Sequence, residues 1–160
     1  MTENRIRVLC VDDNELVAQA VERRMAFEPR FEWVGWVSRT EELLETVSRA
    51  QPHVVLLDID MPGRSAFDVV KDLADAAPDT RVVMFSGYVR NDYIDRSVDA
   101  GAWGYVSKNA SIEELLEAIE KVAGGNFALT DEVIAQQARG HRASGAAVES
   151  PESAGEITGG

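Results

Sequence analysis

Side chains that could bind metal or phosphate follow four apolar segments of the sequence. Asp12 and Asp13 follow the first segment, Asp58 the third, Ser86 the fourth and Lys108 the fifth. Carboxylates that lie close together repel and raise one another's pKa unless a cation sits between them. The pattern therefore predicts a metal site, and ligands that are all oxygens favour Mg²⁺.

The same residue types could support phosphoryl transfer. Once a metal draws off negative charge, one carboxylate can attack phosphorus and form an aspartyl phosphate. A metal and a lysine can then hold the equatorial oxygens, so most of the catalysis is positioning and electrostatics.

Short apolar runs alternate with segments of helical spacing from Arg5 to Val122, which indicates β-α units on a parallel sheet. Five strands are predicted, at Ile6–Val11, Phe31–Val37, Val54–Leu57, Val82–Phe85 and Gly104–Val106. If the chain winds outward in both directions from its first strand, strands one and three are neighbours. Asp13 and Asp58 then face each other where such sheets bind ligands.

Two helices carry capping-box spacings, Ser38 before Glu41 and Ser111 before Glu114. The fourth helix, near Asn91–Ala100, has only Tyr93, Ile94 and Val98 to bury. So thin an apolar stripe predicts a loosely held helix that can move.

The motifs resemble those of receiver domains of bacterial two-component systems, the CheY-like family. The matching segments are Val11-Asp12-Asp13, Leu57-Asp58-Ile59-Asp60-Met61-Pro62-Gly63, Met84-Phe85-Ser86-Gly87 and Gly101-Ala102-Trp103-Gly104-Tyr105-Val106-Ser107-Lys108. The resemblance implies an α/β, flavodoxin-like (βα)5 fold with a five-stranded parallel sheet in the order 2-1-3-4-5 and helices on both faces.

The resemblance also implies a role for each acidic residue. Asp58 is the expected phosphoacceptor, Asp13 a direct Mg²⁺ ligand and Asp12 a ligand through water, while Asp60 offers its backbone carbonyl. Mn²⁺ is the alternative metal. Lys108 is expected to pair with Asp58 before transfer and with the phosphoryl group afterwards.

Ser86 and Tyr105 are the expected switch residues. By resemblance, the Ser86 hydroxyl turns toward a phosphoryl oxygen, and the Tyr105 ring then moves from an exposed to a buried position. This movement changes the face formed by helix four, strand five and helix five. The implied function is a phosphorylation-activated switch, not an enzyme beyond its own phosphotransfer and autodephosphorylation.

The implied partners are a sensor histidine kinase or a histidine phosphotransfer protein, a downstream protein at the switch face, and a second copy in a homodimer. The chain has 160 residues and a net charge of −12, with no basic stripe, so direct nucleic-acid binding is not expected. The polar start, Met1 to Arg7, and the short apolar runs predict a cytoplasmic protein without membrane contact. Cys10 lies in an apolar run, which predicts a small buried residue.

The end of the matching region looks most like receivers of the NarL and FixJ type, which normally carry a helix-turn-helix output domain. We expect a receiver domain over 1–130, then a helical extension and a disordered tail over 131–160, the tail running from Gly140. Roughly 20 residues cannot form a DNA-reading three-helix unit. The chain is therefore either a single-domain regulator or the receiver half of a truncated DNA-binding regulator.

Other interpretations stay open. Asp12 or Asp13 could cap a helix, Asp58 and Asp60 could be turn residues, and Lys108 could be a solvated charge. Asp58-Ile59-Asp60 superficially fits a haloacid-dehalogenase-like phosphatase, although such a pair usually follows the first strand. A scaffold indifferent to phosphorylation is the last alternative, and the complete acidic cluster argues against it.

Three residues depart from the common receiver pattern or add to the rim of the site. Asn109 stands where many receivers have proline after the lysine. Asp60 adds negative charge two residues after the expected acceptor, and Tyr88 adds bulk on the opposite rim. We expect Asp60 and Tyr88 to tune the lifetime of the phosphorylated form.

Overall fold

A computed structural model describes the backbone of residues 4–149 and the side chains of residues 4–140. The strands are β1 (Ile6–Val11), β2 (Phe31–Val37), β3 (Val54–Leu57), β4 (Arg81–Ser86), β5 (Gly104–Ser107) and β6 (Ala128–Leu129). The helices are α1 (Glu15–Met25), α2 (Leu43–Ala50), α3 (Ala66–Ala76), α4 (Asn91–Ala100), α5 (Ile112–Ala123) and α6 (Asp131–Glu149). A 3₁₀ turn over Thr40–Glu42 precedes α2.

The described strands form one parallel sheet in the order β2-β1-β3-β4-β5-β6. The predicted order of the first five strands is confirmed, but the predicted number is wrong, because β6 adds a sixth strand beside β5. Gly104 permits this approach, since a Cβ on it would lie 2.8 Å from the carbonyl oxygen of Ala128. A two-residue strand is too short to produce a periodic sequence signal.

Apolar cores cover both faces of the sheet. Val47, Leu73 and Ile94 belong to the core on the side of α2, α3 and α4. Val21 and Ile119 belong to the core on the side of α1 and α5. Of the strands between them, β3 and β4 are almost entirely buried and β1 is buried over its second half, which explains their apolar runs in the sequence.

The helix starts show where local sequence signals succeed and where packing overrides them. Ser111 and Glu114 form the predicted capping box at α5. The one predicted from Ser38 is wrong, because α2 begins at Leu43 and has no side-chain cap. Thr40 and Leu43 are both buried, which turns this segment inward before the helix starts.

The end of the described chain is more helical than the sequence suggested. The expected tail from Gly140 is wrong for residues 140–149, which belong to α6; residues 150–160 lie outside the described part. Val133 of α6 is fully buried. A Cβ at Gly140 would overlap the side-chain amide of Asn91, so α6 passes directly against the start of α4.

Among the helices that the structure describes, none combines the length and apolar character that crossing a bilayer requires.

Candidate functional site

The carboxyl ends of β1 and β3 bring three acidic side chains together. The two strands pair with Val11 beside Leu57, and the Asp58 N–H donates to the Val11 carbonyl at 2.9 Å. As a result, carboxylate oxygens of Asp12, Asp13 and Asp58 all lie within 4.8 Å of one another. Asp12 and Asp58 are buried, whereas Asp13 is exposed.

Lys108 reaches this acidic cluster from the end of β5. Its Nζ lies 2.7 Å from Oδ2 of Asp12 and 3.4 Å from Oδ2 of Asp58. The backbone N–H of Lys108 donates to the Ser86 carbonyl at 2.8 Å, which fixes the point from which the side chain extends. The expected pairing with Asp58 is therefore present, but the shorter contact is with Asp12.

Burial and neighbouring charge set the ionisation of the cluster. Burial, together with the charge of Asp12, raises the pKa of Asp58 to about 6, against the hydrogen bond from the Asp60 N–H and the charge of Lys108. Burial lowers the pKa of Lys108, but its bond to Asp12 and the charges of Asp12 and Asp58 outweigh this effect and raise it. Lys108 is therefore a cation at neutral pH, next to a carboxylate whose charge is poorly solvated.

The local structure shows how the sequence aims these groups. Asn14, not Asp12 or Asp13, caps α1, because its side chain accepts from the Leu16 N–H. Asp12 Oδ1 accepts from the Asn14 N–H at 2.9 Å, and Asp58 Oδ1 accepts from the Asp60 N–H at 3.1 Å. Each turn leaves the second carboxylate oxygen directed to the Lys108 side.

Ser86 and Asp60 form the rim beside Asp58. Ser86 is fully buried; its Oγ accepts from the Tyr88 N–H at 3.0 Å and lies 3.5 Å from Oδ2 of Asp60. Asp60 and Tyr88 are both exposed. Ser86 Oγ therefore lies next to both residues that were predicted to tune the phosphoryl lifetime.

Tyr105 occupies the buried position of the expected switch. Its ring is 1% exposed, and its hydroxyl donates to the Tyr88 carbonyl at 2.5 Å. Burial raises the pKa of Tyr105 to about 12, so the phenol stays neutral and available as a donor.

Hydrogen bonds to Ser107 hold the turn after Lys108, in which Asn109 stands at the position expected to be proline in many receivers. The described chain contains no cis peptide bond. Instead, the Asn109 N–H donates to Ser107 Oγ at 3.0 Å, and the Ala110 N–H donates to the Ser107 carbonyl at 3.0 Å. These bonds order the segment that presents Lys108.

Several residues that support this site were not predicted from the sequence. Trp36 Nε1 donates to the Asp12 carbonyl at 2.7 Å. Ser107 Oγ donates to Glu132 Oε1 at 2.6 Å, which links β5 to α6. The sequence shows a serine, Ser107, directly before Lys108, but its distant partner Glu132 could not be inferred without the fold.

Comparison with known proteins identifies the family. The sequence model of the response regulator receiver domain matches residues 8–120, and the chain belongs to this family. Similar proteins include the transcriptional regulatory protein DegU of Brevibacillus brevis, 34% identical over 125 residues, covering 78% of this chain and 53% of that protein. Response regulator GacA of Pseudomonas aeruginosa is 32% identical over 133 residues, covering 83% of this chain and 62% of that protein.

Solved structures agree with this fold. A LuxR-family two-component response regulator from Aurantimonas sp. SI85-9A1 matches with a TM-score of 0.81 at 22% identity, covering 86% of this chain and 99% of that one. The signal receiver domain of the response regulator NarL from Mycobacterium tuberculosis matches with a TM-score of 0.73 at 26% identity, covering 77% and 99%.

The chain is thus the receiver domain of a two-component response regulator, a signalling class and not a classical enzyme. The family match favours this function over the dehalogenase-like phosphatase. The chain spans 53–62% of the lengths of DegU and GacA.

Proposed function

We propose that Asp58 accepts a phosphoryl group from a histidine of a sensor kinase or phosphotransfer protein. The observation that carries the proposal is a buried Asp58 carboxylate beside buried Asp12, with the cationic Lys108 between the two carboxylates. One Asp58 oxygen forms a P–O bond as the P–N bond of the donor phosphohistidine breaks. The donor imidazole leaves with the electron pair, and the protein keeps an aspartyl phosphate.

The acidic cluster fits a magnesium ion. Opposite ligands of an octahedral Mg²⁺ lie about 4 Å apart, close to the 4.8 Å within which the three carboxylates present oxygens. Asp12, Asp13, Asp58 and the Asp60 carbonyl would hold the ion, with Mn²⁺ as the alternative. A bound ion would supply positive charge that offsets the carboxylates and the phosphoryl oxygens.

Lys108 and Ser86 act on the phosphoryl group after transfer. Lys108 Nζ moves from Asp12 toward the new phosphoryl oxygens, a shift that its position between the two carboxylates allows. The Ser86 hydroxyl oxygen loses the hydrogen bond that it accepts from the Tyr88 N–H, and the hydroxyl then donates to a phosphoryl oxygen. Because Tyr105 donates to the Tyr88 carbonyl, this loop movement reaches the switch residue directly.

The output surface comprises α4, β5 and α5, together with the neighbouring α6. A downstream protein or a second copy of the chain binds there when the loop around Tyr88 changes. Asp60 and Tyr88 set the phosphoryl lifetime from the rim of the site. Replacing each residue and timing decay of the adduct checks this; two unchanged decays would contradict it.

A second candidate describes the whole protein. DegU is named a transcriptional regulatory protein and is longer than the chain. The chain would then be the receiver part of a DNA-binding regulator, and the full-length gene product would contain a helix-turn-helix. A cytoplasmic location remains an expectation from the family.

Intact mass spectrometry after treatment with acetyl phosphate and Mg²⁺ tests the phosphoacceptor. We expect one phosphoryl adduct on the parent and none on Asp58→Asn. Asp60→Asn is the matched control, because it removes the second acid of the same motif and should keep the adduct. An unlabelled parent, or a labelled Asp58→Asn variant, would contradict the proposal.

A further inference from the structure

The hydroxyl of Ser107 joins the turn that carries Lys108 to the first turn of α6. Ser107 is fully buried; its Oγ accepts from the Asn109 N–H at 3.0 Å and donates to Glu132 Oε1 at 2.6 Å. Its N–H donates to Thr130 Oγ1 at 3.2 Å. One side chain therefore connects the peptide after Lys108 with α6.

Glu132 holds this bond from a fixed base. The neighbouring Val133 is fully buried in the core that also contains Tyr105 and Ile94. Farther along α6, Gly140 passes against Asn91 of α4. A carboxylate acceptor makes the bond to Ser107 stronger than a neutral pair would.

We propose that Glu132 is a positioning residue for Lys108 and that α6 thereby responds to the state of Asp58. Lys108 Nζ lies 2.7 Å from Asp12 and 3.4 Å from Asp58, so holding a phosphoryl group requires it to shift. The inference rests on the proposed phosphoacceptor function. By linkage, the seating of α6 affects the site as much as the site affects α6.

A charge-matched pair of variants in the same helical turn tests the positioning role. Glu132→Ala removes the acceptor of the Ser107 hydroxyl. Asp131→Ala removes the adjacent acidic side chain, which forms no hydrogen bond with the side chains or backbone of residues 4–140. Hydrogen exchange of the full chain without metal is the first readout. We expect the Asn109 and Ala110 amides to exchange about fivefold faster in Glu132→Ala, at the low end of typical coupling, and unchanged in Asp131→Ala.

The response of α6 is read with beryllofluoride and Mg²⁺, a non-covalent stand-in for the phosphoryl group. In the parent, beryllofluoride should change exchange over residues 131–139, and in Glu132→Ala this change should be lost while exchange around Asp58 still responds. Labelling by acetyl phosphate should be about fivefold slower in Glu132→Ala than in Asp131→Ala.

The outcomes separate the two proposals. A parent that takes no adduct contradicts the phosphoacceptor function itself. A labelled parent whose Glu132→Ala and Asp131→Ala variants exchange equally at Asn109 and Ala110 overturns the positioning role. A parent in which beryllofluoride alters the site but not residues 131–139 overturns the coupling to α6.

Discussion

The side chain of Lys108 contacts the acidic cluster, and the turn that follows Lys108 is joined to the attachment of α6. These two regions have opposite effects on the free energy of unfolding. The cluster buries the carboxylates of Asp12 and Asp58 with one lysine between them. The α6 attachment consists of Thr130, Glu132 and Val133. Val133 buries apolar surface, and Thr130 and Glu132 accept hydrogen bonds from Ser107 at the end of β5.

The contrast separates the part of the molecule that folding favours from the part that function requires. Burying charge is unfavourable even when it is paired, whereas burying an aliphatic side chain is favourable. Burial raises the pKa of Asp58, which is the direction that a cost of burying its charge predicts. Changes in the cluster should therefore affect labelling most, and changes in the attachment should affect stability most.

Removing the lysine should have the largest effect. Lys108→Ala deletes the cation that holds phosphoryl oxygens, and loss of one such donor typically lowers rates about 100-fold. We expect a comparable fall in the rate of labelling by acetyl phosphate, followed by intact mass. Lys71→Ala, an exposed lysine of α3, should label like the parent.

Labelling of Lys108→Ala at the parental rate would contradict this expectation, because the cluster would then not depend on its cation.

The sheet and the cluster could be predicted from the sequence because both follow from local pattern. Buried runs such as Val54–Leu57 have no polar residue to obscure the strand, and polar residues begin where the strands end. The pattern alone therefore places Asp58 and Lys108 at one edge of the sheet. Their individual roles come from resemblance and stay predictions.

The α6 attachment could not be predicted because its determinants are distant in sequence or too short. β6 has two residues, and the bond between Ser107 and Glu132 spans 25 positions. The stretch from Gly140 has the composition of a tail, yet it continues α6 to Glu149. At Gly140 close packing against Asn91 is favourable because the glycine has no side chain.

Truncating the buried residue Val133 of α6 should lower stability more than it lowers labelling. Val133→Ala removes two buried methyl groups and should lower the free energy of unfolding by about 2 kcal/mol. Urea unfolding measures this, and labelling of Asp58 in native buffer should stay within about twofold. Ile134→Ala is the matched control, because Ile134 is 50% exposed and should cost much less.

Equal losses in Val133→Ala and Ile134→Ala would contradict the assignment of α6 to the core.

The ionisation of Asp58 predicts a pH dependence of stability. Its pKa is raised to about 6 in the folded protein, above the ordinary value of 3.8. A raised carboxyl pKa gives stability that is present below the unfolded pKa and lost as the pH rises through about 6. Without metal, the parent should therefore lose on the order of 1 to 2 kcal/mol relative to Asp58→Asn between pH 4 and pH 7, after allowance for solvent screening.

Urea unfolding of both proteins at several pH values, with EDTA present, measures this difference. Adding Mg²⁺ at pH 7 should recover much of the loss in the parent and little in Asp58→Asn, since the parent presents the full set of carboxylates. If the difference in the free energy of unfolding between the two proteins stays constant with pH, burial does not raise the pKa of Asp58.

The smallest effect should come from Asp60, the exposed acid at the rim, because solvent screens its charge. Asp60 is exposed and lies 3.5 Å from the Ser86 hydroxyl that is expected to meet the phosphoryl group. Two unit charges roughly 7 Å apart in water repel by about 0.6 kcal/mol. Asp60→Asn should therefore be labelled by acetyl phosphate about threefold faster at low salt, and Asp68→Asn, an exposed acid of α3, should not. Because salt screens exposed charges and buried ones much less, the advantage should vanish near 1 M salt, whereas the defect of Lys108→Ala should persist.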